Sequence, residues 1–515
     1  MEFLEKIEPR EYQKKIYETC LKKNCLVVLP TGLGKTLIAL MLAVELMKKN
    51  PGKKCLILAP TRPLAEQHMQ YFKKNLSDLF GEMQLFTGNV KPKKRKEIWD
   101  IADIIFSTPQ CIANDLKKKI YTLEEVCLLV EDEAHRCVKN YSYTFVAKKY
   151  IEQAKNPRIV GLTASPGSDQ QKIVEICKNL SIGEVELRTR ESEDVKNYLH
   201  ELNFTKIEVI LPKEFEEIKS LFRKIYDEYL SNLRDKQILR GFASKITLLE
   251  LQKRLSYQLK RNYKSRIIYE ALSEIAQAIK ISHALELLET QTIESLMSYM
   301  KNLYEQAAKK QSKGVINLVK KREFTLGFSL INELFVKKIE HPKINSLIEL
   351  IKKDNKNKKR IVFAQYRETV NIISRRLNEI SGIKTKIFIG QSKKKDSGLS
   401  QKEQKIIIED FKNNEIDILC STSIGEEGLD IPEVDSVIFY EPVSSAIRAI
   451  QRRGRTARLS KGELIILITK NTKDETSYYS SKYREKRMHI NIEKIKDKLK
   501  KGPLPNSELQ KKLFD

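Results

Sequence analysis

Ten short apolar runs constrain this chain more than any other feature of its sequence. CLVVLP (25–30), KCLILAP (54–60), DIIFST (103–108), VCLLVED (126–132) and RIVGLTA (158–164) lie in the first 190 residues. RIVFAQ (360–365), KIFI (386–389), IDILCST (416–422), DSVIFYE (435–441) and ELIILIT (463–469) lie between 340 and 470. Each is too short for a helix, and stretches of helical length mostly separate them. Continuously apolar strands alternating with helices belong in a parallel sheet covered on both faces. The pattern predicts two α/β domains of similar size, residues 1–190 and 336–475.

Residues 191–335 read differently. They are nearly free of Gly and Pro, and apolar residues recur every three or four positions, as in LFRKIYDEYL (221–230) and ALELLETQTIESLMSYM (284–300). This periodicity predicts a bundle of long helices. Within it, LQKRLSYQLKRNYKSRIIY (251–269) carries six basic residues, no acid and interleaved tyrosines. Two readings stand: a solvated helix face, or a surface on which Lys253, Arg254, Lys260 and Arg261 follow phosphates while aromatic rings stack on bases. A formal charge of +27 favours the second. Residues 476–515 form a basic C-terminal tail, with a terminal helix ahead of a frayed end. Gln510, Leu513 and Phe514 there faintly resemble a peptide that binds a sliding clamp, with the wrong aromatic spacing.

Composition closes off other classes. The eight cysteines include no C-x-x-C pair and mostly sit in apolar runs, as expected of buried thiols in a reduced compartment. No apolar run is long enough to span a bilayer, and the N-terminus lacks a secretory h-region. An intracellular chain with no membrane partner is expected.

Three segments carry chemistry. LPTGLGKT (29–36) joins a strand to a helix as a shortened P-loop. Backbone N–H groups of Leu29, Pro30 excepted, through Thr31, Gly32, Leu33 and Gly34 are expected to wrap phosphate oxygens at a helix N-terminus. Lys35 should reach the β/γ-phosphates of ATP and Thr36 should ligate Mg²⁺. Leu29 departs from the usual first glycine. VEDEAHR (130–136) ends another strand, placing Asp132 to hold Mg²⁺ through water and Glu133 to deprotonate the attacking water. His135 is a candidate for relaying the state of the nucleotide. IRAIQRRGRTARL (447–459) puts Arg455 and Arg458 one helical turn apart in the other α/β domain. They complete the ATP site only if the two domains close on it.

The ordered set PTGLGKT, APTRPLAEQ, STPQ, DEAH, LTASPG, STSIGEEGLDIP and QRRGRTAR resembles the superfamily 2 helicases of DEAH type. DEAHRCVKNYSY, GLTASPGS, GEEGLDIPEVDSVIFYEP and AIRAIQRRGRTAR are similar to the helicase part of the archaeal Hef and the Fanconi anaemia group M helicases. The resemblance implies two tandem RecA-like parallel-sheet domains with an all-helical insert between them. It implies that Arg10 and Gln13 read adenine. Pro60, Thr61, Arg62, Thr87, Gly88, Thr108 and Pro109 would hold a nucleic-acid backbone in the first domain, and Thr422 in the second. Thr163, Ala164 and Ser165 would couple hydrolysis to movement. Gly428 and Asp430 would face the nucleotide across the cleft, and Gln451, Arg455 and Arg458 would contact the γ-phosphate and water.

The expected function is an ATP- and Mg²⁺-dependent helicase or translocase that remodels forked or four-way DNA, acts as a monomer and associates with the nucleoid. Hef-type proteins often add a nuclease with an E-R-K-x-x-x-D core; none follows Ile468, so remodelling without cleavage is expected of this chain. Two alternatives stay open: an RNA-directed helicase of the Dicer or RNA-sensor type, and an ATP-gated clamp that binds structured nucleic acid without moving along it.

Overall fold

The computed structural model describes residues 7–502 except 78–79, 89, 200, 262–264, 354–357, 391–397, 423–430, 455 and 457–461. Two parallel sheets organise it. The first contains β1 (Cys25–Val28), β2 (Lys54–Leu58), β3 (Met83–Phe86), β4 (Ile104–Ser107), β5 (Val126–Asp132), β6 (Ile159–Thr163) and β7 (Glu184–Leu187), in the order β3-β4-β2-β5-β6-β1-β7. The second contains β8 (Leu202–Val209), β9 (Arg360–Phe363), β10 (Thr385–Phe388), β11 (Ile418–Ser421), β12 (Ser436–Phe439) and β13 (Gly462–Thr469), in the order β10-β11-β9-β12-β13-β8. All ten apolar runs became strands. Central strands such as β1, β2, β5 and β9 are buried along their whole length, because helices cover both faces.

Three strands carry no such run, and all three are sheet edges. β3, β7 and β8 have exposed or half-exposed positions, so their sequences mix polar with apolar residues. β8 corrects the expectation of an all-helical segment over 191–335. It pairs with β13 over eight residues, from Leu202 opposite Gly462 to Val209 opposite Thr469. Backbone hydrogen bonds rather than side-chain burial hold it, which leaves little apolar signal to read.

The helical bundle begins only after β8. Its helices are Lys213–Asp235, Lys245–Lys260, Arg266–Thr290, Ile293–Ala308, Lys313–Val319 and Arg322–Val336. Phe215, Ile218, Phe222, Ile225, Ile275, Leu296 and Phe324 build its core. A Cβ on Gly327 would lie 2.6 Å from the Phe222 ring, so glycine sets how closely the last helix meets the first. The chain enters the bundle from β8 and leaves it toward β9. Both connections therefore attach the bundle to the second sheet.

The expected basic tail is also more than a tail. The helix Lys473–Lys501 leaves β13, and its N-terminal turn is anchored in the second domain by a buried ion pair, Lys343 Nζ to Asp474 Oδ2, at 2.8 Å. Its far half returns to the first domain. Met488, Ile492, Ile495 and Leu499 belong to the core cluster that also holds Leu26, Val28, Tyr143 and Ile173. Their spacing of four, three and four places them on one helix face. Among the described residues, no helix is long and apolar enough to cross a membrane.

Candidate active site and nucleic-acid interface

The site starts where β1 ends. The chain turns through Leu29–Gly34 into the helix Lys35–Lys49, with φ of 86° at Gly32 and 77° at Gly34. Gly34 is also hemmed in, since a Cβ there would sit 2.3 Å from Gln13 Nε2. That closeness has a purpose. Gln13 Nε2 and the Tyr12 hydroxyl both donate to the Leu33 carbonyl, at 3.1 and 2.9 Å. Gln13 Oε1 in turn accepts from the Arg10 backbone N–H at 2.9 Å. Arg10 and Gln13 thus lie against the loop, but both ends of the Gln13 amide are spent bracing backbone. The Leu29 side chain is fully buried in the core behind the loop, and its carbonyl accepts from Lys35 Nζ at 2.8 Å. An inward side chain explains why leucine replaces glycine there.

β5 carries the acids to the same edge. Asp132 pairs with His68 Nε2 at 2.9 Å, and the Tyr143 hydroxyl donates to the Asp132 carbonyl at 2.6 Å. Burial pushes the Asp132 carboxyl up, but the His68 hydrogen bond and the charges of His68 and Lys35 outweigh it and hold it below its ordinary value. Glu133 takes a left-handed conformation, φ 52° and ψ 46°, which turns its side chain out of the strand direction. Its Oε2 lies 3.2 Å from His135 Nδ1, which lies 3.2 Å from Thr163 Oγ1. Thr163 Oγ1 accepts from the Ser165 N–H at 3.1 Å. One chain of contacts therefore links Glu133 through His135 to Thr163, Ala164 and Ser165. It continues to the C-terminal helix, where Met488 Sδ lies 2.9 Å from Ser165 Oγ.

The second domain closes on this loop. The helix Ala446–Arg453 ends at Gly454, and a Cβ on Gly454 would lie 1.4 Å from Thr31 Oγ1. Only a glycine permits that approach. Gln451 is 2% exposed on the same helix. Arg452 is fully buried, 4.8 and 5.3 Å from the rings of Phe363 and Phe439. Arg453 makes two bonds of 2.7 and 2.8 Å to Glu485. These two arginines hold the helix in place. Gly428, Asp430, Arg455 and Arg458 lie outside the described residues, as do Gln510, Leu513 and Phe514.

The expected backbone-binding residues collect at the carboxyl ends of neighbouring strands. Pro60 and Thr61 follow β2, Thr87 and Gly88 follow β3, and Thr108 follows β4. Thr61 and Thr108 are the residues capping the helices Arg62–Asn75 and Pro109–Lys117, so Arg62 and Pro109 open helices whose positive ends face this edge. The Thr61 hydroxyl is buried without a hydrogen-bond partner. Thr422 follows β11 at the matching edge of the second sheet. A buried Arg95–Asp115 pair braces the segment after Thr87, with Arg95 also donating to the Val90 carbonyl. In the insert, Lys253, Arg254, Lys260 and Arg261 are all exposed, and the Arg261 guanidinium lies 4.7 Å from the Tyr257 ring.

Sequence reasoning missed His68, Tyr143, Arg95, Asp115 and Met488. His68 follows the APTRPLAEQ motif directly, yet its partner is 64 residues away, so no spacing marks the pair.

This geometry meets its relatives directly. The DEAD/DEAH box helicase family matches residues 10–173, and the helicase conserved C-terminal domain matches 342–460. The bundle matches a family described as "Putative ATP-dependent RNA helicase, helical bundle" over 214–332. A Methanocaldococcus jannaschii protein named a "putative ATP-dependent RNA helicase" is 42% identical over 94% of this chain and 60% of its own length. The ATP-dependent DNA helicase mph1 of Neurospora crassa is 32% identical over 92% of this chain and 42% of its own. The crystal structure of the Pyrococcus furiosus Hef helicase domain matches with a TM-score of 0.72 and 41% identity, covering 93% of this chain and 100% of that one.

Two parallel sheets meeting at a P-loop, with a DEAH box on one side and the QRRG helix on the other, define a superfamily 2 helicase core. Within that class the chain belongs to the DEAD/DEAH box helicase family represented by the Hef helicase domain. It spans about half the length of the two curated relatives described above.

Proposed function

We propose that this chain is an ATP-driven DNA helicase or translocase that remodels forked and four-way DNA. The contact of Gly454 with Thr31 carries the reading. It puts the helix that leads into Arg455 and Arg458 directly on the phosphate-binding loop, so hydrolysis and domain closure share one interface. Lys35 and the loop N–H groups grip the triphosphate. Glu133 takes the proton of the attacking water, and His135 passes the change to Thr163. Arg455 and Arg458 reach the γ-phosphate from the second domain. Opening and closing then alter the distance between the grips at Thr61, Thr87 and Thr108 and the grip at Thr422. Grips on backbone make such a motor tolerant of sequence.

Thr36 and an ionised Asp132 are hard oxygen donors that suit Mg²⁺. Among the described residues, no group of three or more His, Cys, Asp or Glu could hold a metal. A two-donor site fits an ion held chiefly by nucleotide oxygens and water, where it would neutralise charge developing on the phosphates. The insert supports selection of branched substrates through its exposed cations. The names of the bundle family and the Methanocaldococcus relative favour a second reading, an RNA-directed helicase.

ATPase and strand-displacement assays on fork, four-way junction, plain duplex and double-stranded RNA test both. DNA forks should stimulate most; stronger stimulation by RNA would select the second reading, and turnover without displacement would make the protein a clamp. Lys35→Ala and Glu133→Gln should each abolish turnover, the latter with ATP binding retained in a filter assay.

A further inference from the structure

The connection from Lys236 to Ser244, between the first two helices of the insert, carries an apolar side chain where folding gives no reason for one. Phe242 is 86% exposed, more than any other large apolar residue among those described. The connection is anchored at both ends. Ile238 N–H and Leu239 N–H donate to the Leu233 carbonyl at 3.0 and 3.1 Å, and Leu239 is buried. Ser244 Oγ accepts from the Thr247 N–H at 3.0 Å, capping the next helix. Between the anchors, Gly241 adopts φ +76° in open space, where a Cβ would meet nothing within 4 Å. That left-handed residue turns the chain at the tip immediately before Phe242.

The apolar surface does not end there. Ile246 and Leu249, 66% and 47% exposed, lie on the outward face of the following helix, and Lys253 and Tyr257 continue the same stripe. Arg240 is exposed on one side of Phe242 and Arg254 on the other end of the stripe, while Glu250 is the single acid of that helix. An apolar tip running into cations and an exposed tyrosine fits a polyanion that carries flat rings. A purely apolar protein partner would not need the cations.

The helix that follows the loop is tied to the second domain. Lys245, the first residue of the helix, lies 3.6 Å from Glu286, which accepts from the Tyr366 hydroxyl at 3.3 Å. Tyr366 stands just past β9, which neighbours β11, the strand that Thr422 follows. One glutamate thus joins the start of the loop-bearing helix to the end of the second sheet at which Thr422 lies.

We propose that Phe242 is a stacking wedge that covers a base at the branch point of the nucleic acid, with Arg240 and Lys253 on the flanking phosphates. This rests on the branched-DNA reading above and adds the residue that recognises the branch. The test uses the full chain, wild type, Phe242→Ala and Phe242→Trp, titrated with a DNA fork carrying 2-aminopurine at its branch and with a blunt duplex of equal length. The wild type should perturb the 2-aminopurine signal and prefer the fork. Phe242→Ala should lower that preference about ten-fold, the loss expected for one base–aromatic stack, and abolish the signal change, while Phe242→Trp keeps both. A fork preference untouched by Phe242→Ala overturns the wedge alone, as would loss of self-association in place of fork binding, which would make the tip a protein contact. Equal wild-type affinity for fork and duplex overturns the branched-DNA reading and the wedge with it.

Discussion

Gly454 and Glu131 show how much a single residue decides here. Gly454 is the point where the second domain touches the first domain's phosphate loop. A methyl group there would meet Thr31 Oγ1 at 1.4 Å and its Cβ at 2.8 Å, so rotating the hydroxyl does not relieve the clash. Gly454→Ala should hold the cleft apart and lower ATP turnover about ten-fold or more. Each domain should unfold at its original temperature; normal turnover would show that the contact is not part of the working cycle. Glu131 directly precedes Asp132 and Glu133 and is fully buried. Burial pushes its carboxyl up to about 8, with the Cys137 thiol offsetting this only in part. The unfolded chain ionises near 4.5 while the folded one keeps the proton, so this group makes stability fall as pH rises from about 4.5 to about 8. Glu131→Gln, which mimics the neutral form, should therefore raise the melting temperature more at pH 8 than at pH 5. A pH-independent difference would refute a protonated Glu131. The P-loop and DEAH residues were legible because each motif is a local string. The His68–Asp132 pair was not, because its meaning is a distance of 2.9 Å between segments 64 residues apart.

At the scale of elements, the C-terminal helix departs furthest from expectation. Its composition reads as a basic tail, yet its buried face completes the first domain's core after the chain has left the second. Ile492→Ala should destabilise the first domain by about 2–5 kcal/mol, read from denaturant unfolding, whereas Ile490→Ala, at a 46% exposed position, should cost little. Equal effects would mean that the docked face contributes nothing. The periodicity at Met488, Ile492, Ile495 and Leu499 was visible in the sequence, but the surface it covers was not. β8 makes the same point for strands. An edge strand with one pairing partner and one exposed face needs no apolar run, so it hides among helical residues.

The whole molecule is a two-domain jaw with an insert attached at both ends to the second domain. Its charge of +27 suits a polyanion, and the insert helix Lys245–Lys260 concentrates part of it on one face. Replacing Lys253, Arg254, Lys260 and Arg261 together with alanine should weaken fork binding and reduce the slope of log affinity against log salt by about 3–4, near 0.9 per lost phosphate contact. An unchanged slope would remove this face from the DNA interface. The C-terminal helix also bridges the two halves, since its Met488 contacts Ser165 of the first domain and its Glu485 pairs with Arg453 of the second.

Taken alone, the amino-acid order determined two parallel-sheet domains, a helical insert and the ATP chemistry. Strand runs and phosphate loops are local patterns whose backbone geometry demands particular residues at fixed spacing. Tertiary structure alone decided that β8 belongs to the second sheet, that the last helix returns to the first domain, and that Gly454 meets Thr31. Those facts depend on surfaces brought together across long gaps, 323 residues between Ser165 and Met488 and more still between Thr31 and Gly454, and a linear pattern has no term for which buried face meets which.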